Sequence, residues 1–196
     1  ISWEVRKSDI STAFFLPKNV VADDNQLIFL NDSGQITEVL WDANSKSTLW
    51  KYNLHYFDWI NSENCKMSDV RTVDLMSNWV SANPIGKTIA WDPYPTSLRI
   101  VNWVKFHLNQ NNLPNTVLQS LATQGDWISR NVEWHLMANH LFVNSKAMIF
   151  IGLFFEGPLA SRLLSTGLKI LNEELKEQVL IDGGHFERSP MYHSIF

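Results

Sequence analysis

Residues 131–155, NVEWHLMANHLFVNSKAMIFIGLFF, decide the fold. From Leu141 to Phe155, 11 of 15 residues are apolar. That density approaches a membrane-spanning helix, but a span needs about 20 consecutive apolar residues. This run is shorter, follows His135, Asn139 and His140, and is interrupted by Asn144, Ser145 and Lys146. A helix apolar nearly all round and too short to span belongs at the buried centre of a large helical assembly.

Working outward, the periodicity from about Lys51 predicts helices over 52–62, 68–82, 96–110, 114–129, 133–154 and 158–178, with another beginning at 190. Ser68 precedes one apolar-periodic run, Pro95-Thr96-Ser97 precede Leu98, Ile100, Val101 and Val104, and Gly157-Pro158 end one helix and open the next. Short connections predict antiparallel neighbours. Asp182-Gly183-Gly184 stop the helix ending near Gln178, and Ser189-Pro190 offer an N-cap followed by proline at the first helical position. The chain stops at Phe196, soon after that start, so a truncated domain is expected, with its continuation covering apolar surface.

Residues 1–50 read differently. Gln26–Leu30 and Ile36–Trp41 are β-prone and are separated by Asn31-Asp32-Ser33-Gly34, which predicts a hairpin with its turn in that cluster. The expected fold class is therefore all-α, with a small β or irregular segment over 1–50 and a helical domain over 51–196.

Composition narrows the function. With 45% apolar and 18% charged residues, 196 residues can bury one sizeable core. A net charge of -4 supplies no basic field for nucleic acid, so that partner is excluded. The single Cys65 rules out an internal disulfide framework and paired-Cys metal or redox motifs. The chain opens on Ile1 with no signal-peptide pattern, so localisation has to follow from the substrate. Nine Trp, eleven Phe and four Tyr make an aromatic load that suits the C–H faces of sugar rings, against which stands the reading of a Trp-rich core.

Two constellations can carry chemistry. Asn131–Asn144 crowd His135, Asn139, His140 and Glu133 onto the start of the apolar helix, where buried polar groups need either a full hydrogen-bond network or a purpose. On a helix from 133, His135 and Asn139 share one face and His140 and Asn144 another, about 100° separating Asn139 from His140. Asp182–His193 (DGGHFERSPMYH) deliver His185, Glu187, Arg188, Tyr192 and His193 from a Gly-Gly loop. If Ser189 is the N-cap, Tyr192 stands at the positive end of a helix dipole, which favours a phenolate. Taken singly, each of these residues has an ordinary structural reading. No HExxH, GxSxG, Walker or GxGxxG pattern occurs.

The successive stretches LWKYNLHYFDWI (49–60), WDPYPTSLRIVNWVKF (91–106), residues 131–155 and IDGGHFERSPMYH (181–193) resemble the N-terminal helical domain of the heparinase II/III-like polysaccharide lyases, especially members associated with bacterial exopolysaccharide genes. The resemblance spans residues 49–193. It implies an incomplete (α/α) toroid of antiparallel helices, followed in full-length members by a β-sandwich absent from this chain. It also implies β-elimination on an acidic polysaccharide or oligosaccharide, in which the C5 proton of a uronic acid is removed and the 4-O-linked sugar departs. Amide and imidazole donors would mute the substrate carboxylate as an enolate-like intermediate forms. By position, Asn139 resembles the family's charge-neutralising asparagine with His140 beside it, and Tyr192 its catalytic tyrosine.

Glu187 and His193 would orient neighbours, Arg99 could meet a substrate carboxylate or equally form a structural salt bridge, and Trp103 and Trp134 could stack on sugars. His135 and His185 complete the expected substrate-binding set. No cofactor or metal is expected in this chain, a structural metal being possible in the β-sandwich. The family's remaining catalytic residues would lie beyond Phe196, so the chain alone is expected to be inactive. A polysaccharide substrate implies a periplasmic or secreted protein with no membrane span. Two rivals stand beside this: a glycoside hydrolase on a similar toroid, drawing on Glu133, Asp182 and Glu187, and a non-catalytic glycan-binding module.

Overall fold

A computed structural model describes residues 3–6, 21–22, 26–36, 41–110, 113–136 and 138–186. The expected all-α class is what is found: among the described residues six helices make up the body, with two small sheets at the margins. The helices are α1 (Thr48–Tyr56), α2 (Asp69–Ala82), α3 (Pro93–Gln110), α4 (Asn115–Arg130), α5 (Ala138–Phe154) and α6 (Pro158–Gln178). The strands are β1 (Glu4–Val5), β2 (Val21–Ala22), β3 (Gln26–Phe29), β4 (Asp32–Gln35) and β5 (Phe155–Glu156).

Two start signals act where the sequence places them, whereas α3 begins at Pro93 rather than at 96. The Ser68 hydroxyl accepts the Arg71 N–H at 3.3 Å and opens α2, while Gly157, at φ 112°, precedes Pro158 at the start of α6. Helix α1 begins earlier than expected, at Thr48, because the Ser47 hydroxyl accepts the Trp50 N–H at 3.2 Å. It ends at Phe57, whose left-handed φ of 56° turns the chain into a short 3-10 turn at Asp58–Asn61.

Two expectations are corrected. The hairpin turn falls on Leu30-Asn31, both with positive φ (56° and 61°), so Asp32-Ser33-Gly34 belong to β4 rather than to the turn. Paired positive-φ residues match the twist of the flanking strands, which fixes the register Phe29↔Asp32 and Gln26↔Gln35. Gly34 is required there by packing: a Cβ would come 2.5 Å from the Trp50 ring. The second correction is that α5 starts at Ala138 rather than 133. Residues before it form turns, with Trp134 N–H donating to the Val132 carbonyl at 2.9 Å and Leu136 N–H to that of Glu133 at 3.0 Å. His135 therefore does not share a helical face with Asn139. The helix expected from 190 lies outside the described residues.

Helix α5 is the central element, packed most extensively along α6 and touching α3 and α4 on other sides. Leu141, Val143, Ala147, Met148, Ile151 and Phe154 are all buried. The close approach to α6 depends on two glycines, because a Cβ on Gly152 would sit 2.8 Å from the Ala160 carbonyl and one on Gly167 2.8 Å from that of Ser145. β1 pairs antiparallel with β5 at the end of α5, and the β2–β3–β4 sheet sits against α1 through Phe29 and Trp50, 5.1 Å apart and edge-on. No helix among the described residues is long and apolar enough to cross a membrane.

Beneath the helices lies a tryptophan core organised around a buried guanidinium. Arg99, fully buried on α3, stacks 3.9 Å from the centre of the Trp79 ring. It donates to Gln124 Oε1 (2.9 Å), the carbonyls of Ala90 (2.8 Å) and His55 (3.2 Å), and the Thr96 hydroxyl (3.2 Å). No carboxylate takes part in these contacts, and burial pushes the Arg99 pKa well down. Its donors thus tie α3 to α4, to the end of α1 and to the 3-10 turn Ile89–Trp91.

Candidate active-site cleft

A cleft of about 640 Å³ opens where α1, the start of α3 and the turns before α5 meet. Tyr52 and Tyr56, four apart on α1, project from one helical face into it. Tyr94, between Pro93 and Pro95 in the first turn of α3, lines it from the second side. Glu133, His135 and His140 supply the third. Tyr52 and Tyr56 lie 6.5 Å apart, Tyr56 and Tyr94 6.0 Å, and Tyr94 and His140 4.7 Å between ring centres. The result is a continuous band of partly exposed rings.

The polar groups are held by a network reaching into the core. The Asn144 amide, fully buried, donates to Glu133 Oε2 at 3.3 Å and to the Ser97 hydroxyl at 3.0 Å, while its Oδ1 accepts the Glu133 N–H at 3.0 Å. Asn144 thus fastens the turn before α5 to both α5 and α3. His140, one turn earlier on the same face, brings Nδ1 to 3.2 Å from the same Glu133 Oε2. That approach is close enough for an ion pair when the ring is protonated but is not aligned as a hydrogen bond, and Nδ1 finds no hydrogen-bond partner among the described residues. On the opposite wall the Tyr52 hydroxyl donates to Asp92 Oδ2 at 2.7 Å. Partial burial, that hydrogen bond and the charges of Asp92 and Glu133 push the Tyr52 pKa up to about 12. Burial first, then Tyr94, Asp58 and Tyr52, raises that of Tyr56 further still. Both therefore remain phenols at neutral pH, able to donate but not to act as bases.

Of the residues singled out from sequence, Glu133, His135 and His140 meet in this cleft. Asn139, half-buried, stands beside His140 in the first turn of α5, although it is not itself one of the lining residues. Tyr192, Glu187 and His193 lie outside the described residues, as does Arg188.

Three expected substrate contacts are corrected. Arg99 is fully buried with its donors engaged, and Trp103 is fully buried against Phe57 and Trp79. His185 is also buried, its Nε2 3.1 Å from Gln178 Oε1, where it anchors the Gly183-Gly184 loop against the end of α6. Trp134 is 58% exposed but does not line the cleft. The sequence reading missed Tyr52, Tyr56, Asp92 and Tyr94. The available signal was the scarcity of tyrosine: the chain has four, and three of them line this one cleft. Among the described residues no group of three or more His, Cys, Asp or Glu is placed to hold a metal ion.

An all-helical body with an aromatic cleft at the start of its central helix now stands beside its relatives. The family model described as Heparinase II/III N-terminus matches residues 26–196, and the chain belongs to that family. A heparin-sulfate lyase of Pedobacter heparinus is 32% identical over 130 residues, covering 60% of this chain and 19% of that protein. Heparin-sulfate lyases of Bacteroides stercoris and Bacteroides thetaiotaomicron are 26% and 29% identical, over 73% and 62% of this chain and 22% and 19% of their own lengths. The matched region is thus about a fifth of those relatives. No solved structure matches the chain.

Proposed function

We propose that this chain supplies one wall of the active site of a polysaccharide lyase that cleaves a uronic-acid-containing polysaccharide by β-elimination. The observation that carries this reading is the ring band Tyr56–Tyr94–His140 meeting the first turn of α5, where Asn139 stands. The rings offer apolar faces to a sugar, and phenol and imidazole groups offer donors to its hydroxyls. Abstraction of the C5 proton leaves charge on the adjoining carboxylate, and the Asn139 amide with His140 would stabilise it. Tyr192, assigned by resemblance, would move the proton at C5 or at the departing 4-oxygen. The bond between C4 and that oxygen breaks, a C4–C5 double bond forms, and no water is consumed. In keeping with a polysaccharide substrate, the protein would act in the periplasm or outside the cell.

The experiment is a screen of the full-length protein against a panel of uronides, following ultraviolet absorbance of the unsaturated product. Tyr192→Phe is expected to abolish elimination and leave oligosaccharide binding nearly intact; full activity in that variant would refute the assignment. A second reading has one observation in its favour, since Asp92 and Glu133 are carboxylates lining the same cleft, as hydrolysis requires. Against it, the Glu133 carboxylate is engaged by Asn144 and His140, and that of Asp92 by Tyr52. Saturated reducing ends as the only product would decide for hydrolysis.

A further inference from the structure

The cleft does not end at Tyr56 and Tyr94. The same two rings line a second cavity of about 380 Å³ between α3 and α5, which makes the two spaces neighbours across a shared aromatic edge. On α3 its wall includes Leu98, Val101 and Lys105, and on α5 Phe142, Val143 and Lys146, each set recurring at helical spacing. The two cavities differ in charge. Among the described residues, Asp92 and Glu133 line the first, and the basic groups beside them are imidazoles. The second is lined by two ammonium groups and a single carboxylate, Asp58.

Lys146 is the unusual member. It is partly buried, and among the described residues it makes no hydrogen bond or ion pair. Burial accordingly lowers its pKa. A desolvated ammonium without a partner is costly, and an anion entering the cavity would relieve that cost.

We infer that this cavity is an anion subsite continuous with the cleft, in which Lys146, supported by Lys105, takes a carboxylate or sulfate ester of the glycan. The inference rests on the glycan reading above and adds to it. Lys146 follows Asn139 by seven residues on one stripe of α5, a rise of about 10 Å along the axis. The anionic group it selects is therefore displaced from the reacting carbons and belongs to a neighbouring sugar. The enzyme would then read charge beyond the bond it cleaves.

The test uses the full-length protein and calorimetric binding of three tetrasaccharides: a uronide, its O-sulfated form, and its carboxyl-reduced, unsulfated form. Lys146→Gln and, separately, Lys105→Gln are expected to weaken the acidic probes about tenfold. The carboxyl-reduced probe should change little, and Lys146→Arg should retain most of the affinity. Which acidic probe loses more tells carboxylate from sulfate. Unchanged affinity for both acidic probes in the glutamine variants, or equal weakening of all three, would overturn the subsite while leaving the glycan reading standing. Failure of the unsubstituted protein to bind any of the three would overturn both.

Discussion

Six buried tryptophans and the three described tyrosines occupy two different regions, although the same helices contribute to both. Trp41, Trp50, Trp59, Trp79, Trp91 and Trp103 are buried. Most of their indole N–H groups are satisfied internally: Trp79 donates to His55 Nδ1 at 3.1 Å, Trp91 to the Asn83 carbonyl at 3.0 Å and Trp59 to that of Leu54 at 3.2 Å. Tyr52, Tyr56 and Tyr94 stand half-exposed around an open cleft. Indole is a large apolar body with one donor, which a single carbonyl can satisfy in a dry core; phenol both donates and accepts, which suits a boundary that a ligand must share with water. The described aromatic residues thus divide by chemistry, and the proposed sugar-stacking faces are those of Tyr52, Tyr56 and Tyr94 rather than those of the buried tryptophans.

The largest effect should come from breaking the core at its cation. Arg99→Ala removes four hydrogen bonds and the ring contact with Trp79, leaving Gln124 and the Ala90 and His55 carbonyls short of partners in a space nothing refills. A loss of about 3–5 kcal/mol in urea denaturation is expected, the sum of cavity and unsatisfied-group costs. Arg99→Lys should recover only part of it, because a point cation cannot reproduce the planar fork. If Arg99 instead served the substrate, stability would scarcely move and affinity for acidic oligosaccharides would fall.

The sequence made much of this legible. The apolar density of residues 141–155 identified the central helix, and the caps Ser68 and Gly157-Pro158 marked real starts. Where it failed, tertiary contacts had intervened. Residues 133–137 have helical spacing, yet Asn144 holds Glu133 from a turn further along, and the helix waits until Ala138. Arg99 read as a contact for a substrate carboxylate or a salt-bridge partner because no local pattern shows that Trp79, Gln124 and the Ala90 carbonyl converge on it from three other segments. The tyrosine band left only the compositional trace of its scarce residue type, since Tyr52, Tyr56 and Tyr94 become neighbours only once α1 packs on α3.

Helix α1 sharpens the comparison, because it carries His55 into the core and Tyr52 to the cleft within one turn. His55 accepts the Trp79 N–H, and burial, with Arg99 and Lys51 nearby, lowers its pKa to about 3. In the unfolded chain His55 gains a proton near its ordinary 6.5, whereas the folded protein keeps it neutral. Folding is thus unpenalised above pH 6.5 and loses stability as pH falls towards 3, by up to about 1.4 kcal/mol per pH unit. Urea denaturation at a series of pH values between 7 and 4 measures this. His55→Asn should be less stable at neutral pH but show a shallower acid slope; an unchanged slope would mean that His55 titrates normally.

The smallest effect belongs to the cleft side of the same helix. Tyr52→Phe deletes the bond to Asp92 at 2.7 Å and leaves the ring against Tyr56. Because the site is partly open, water can replace the lost donor, and the expected cost is about 0.5–1 kcal/mol, the lower part of the usual range for a hydrogen bond. The raised pKa of Tyr52, near 12, carries its own sign: the folded state favours the phenol, so the stabilisation is full below pH 10 and fades as pH rises towards 12. Ultraviolet titration of tyrosinate in the variant should lack the ionisation near pH 12 that belongs to Tyr52, while that of Tyr56 stays higher still. A destabilisation as large as that of Arg99→Ala would erase the distinction between the two regions and place Tyr52 in the core.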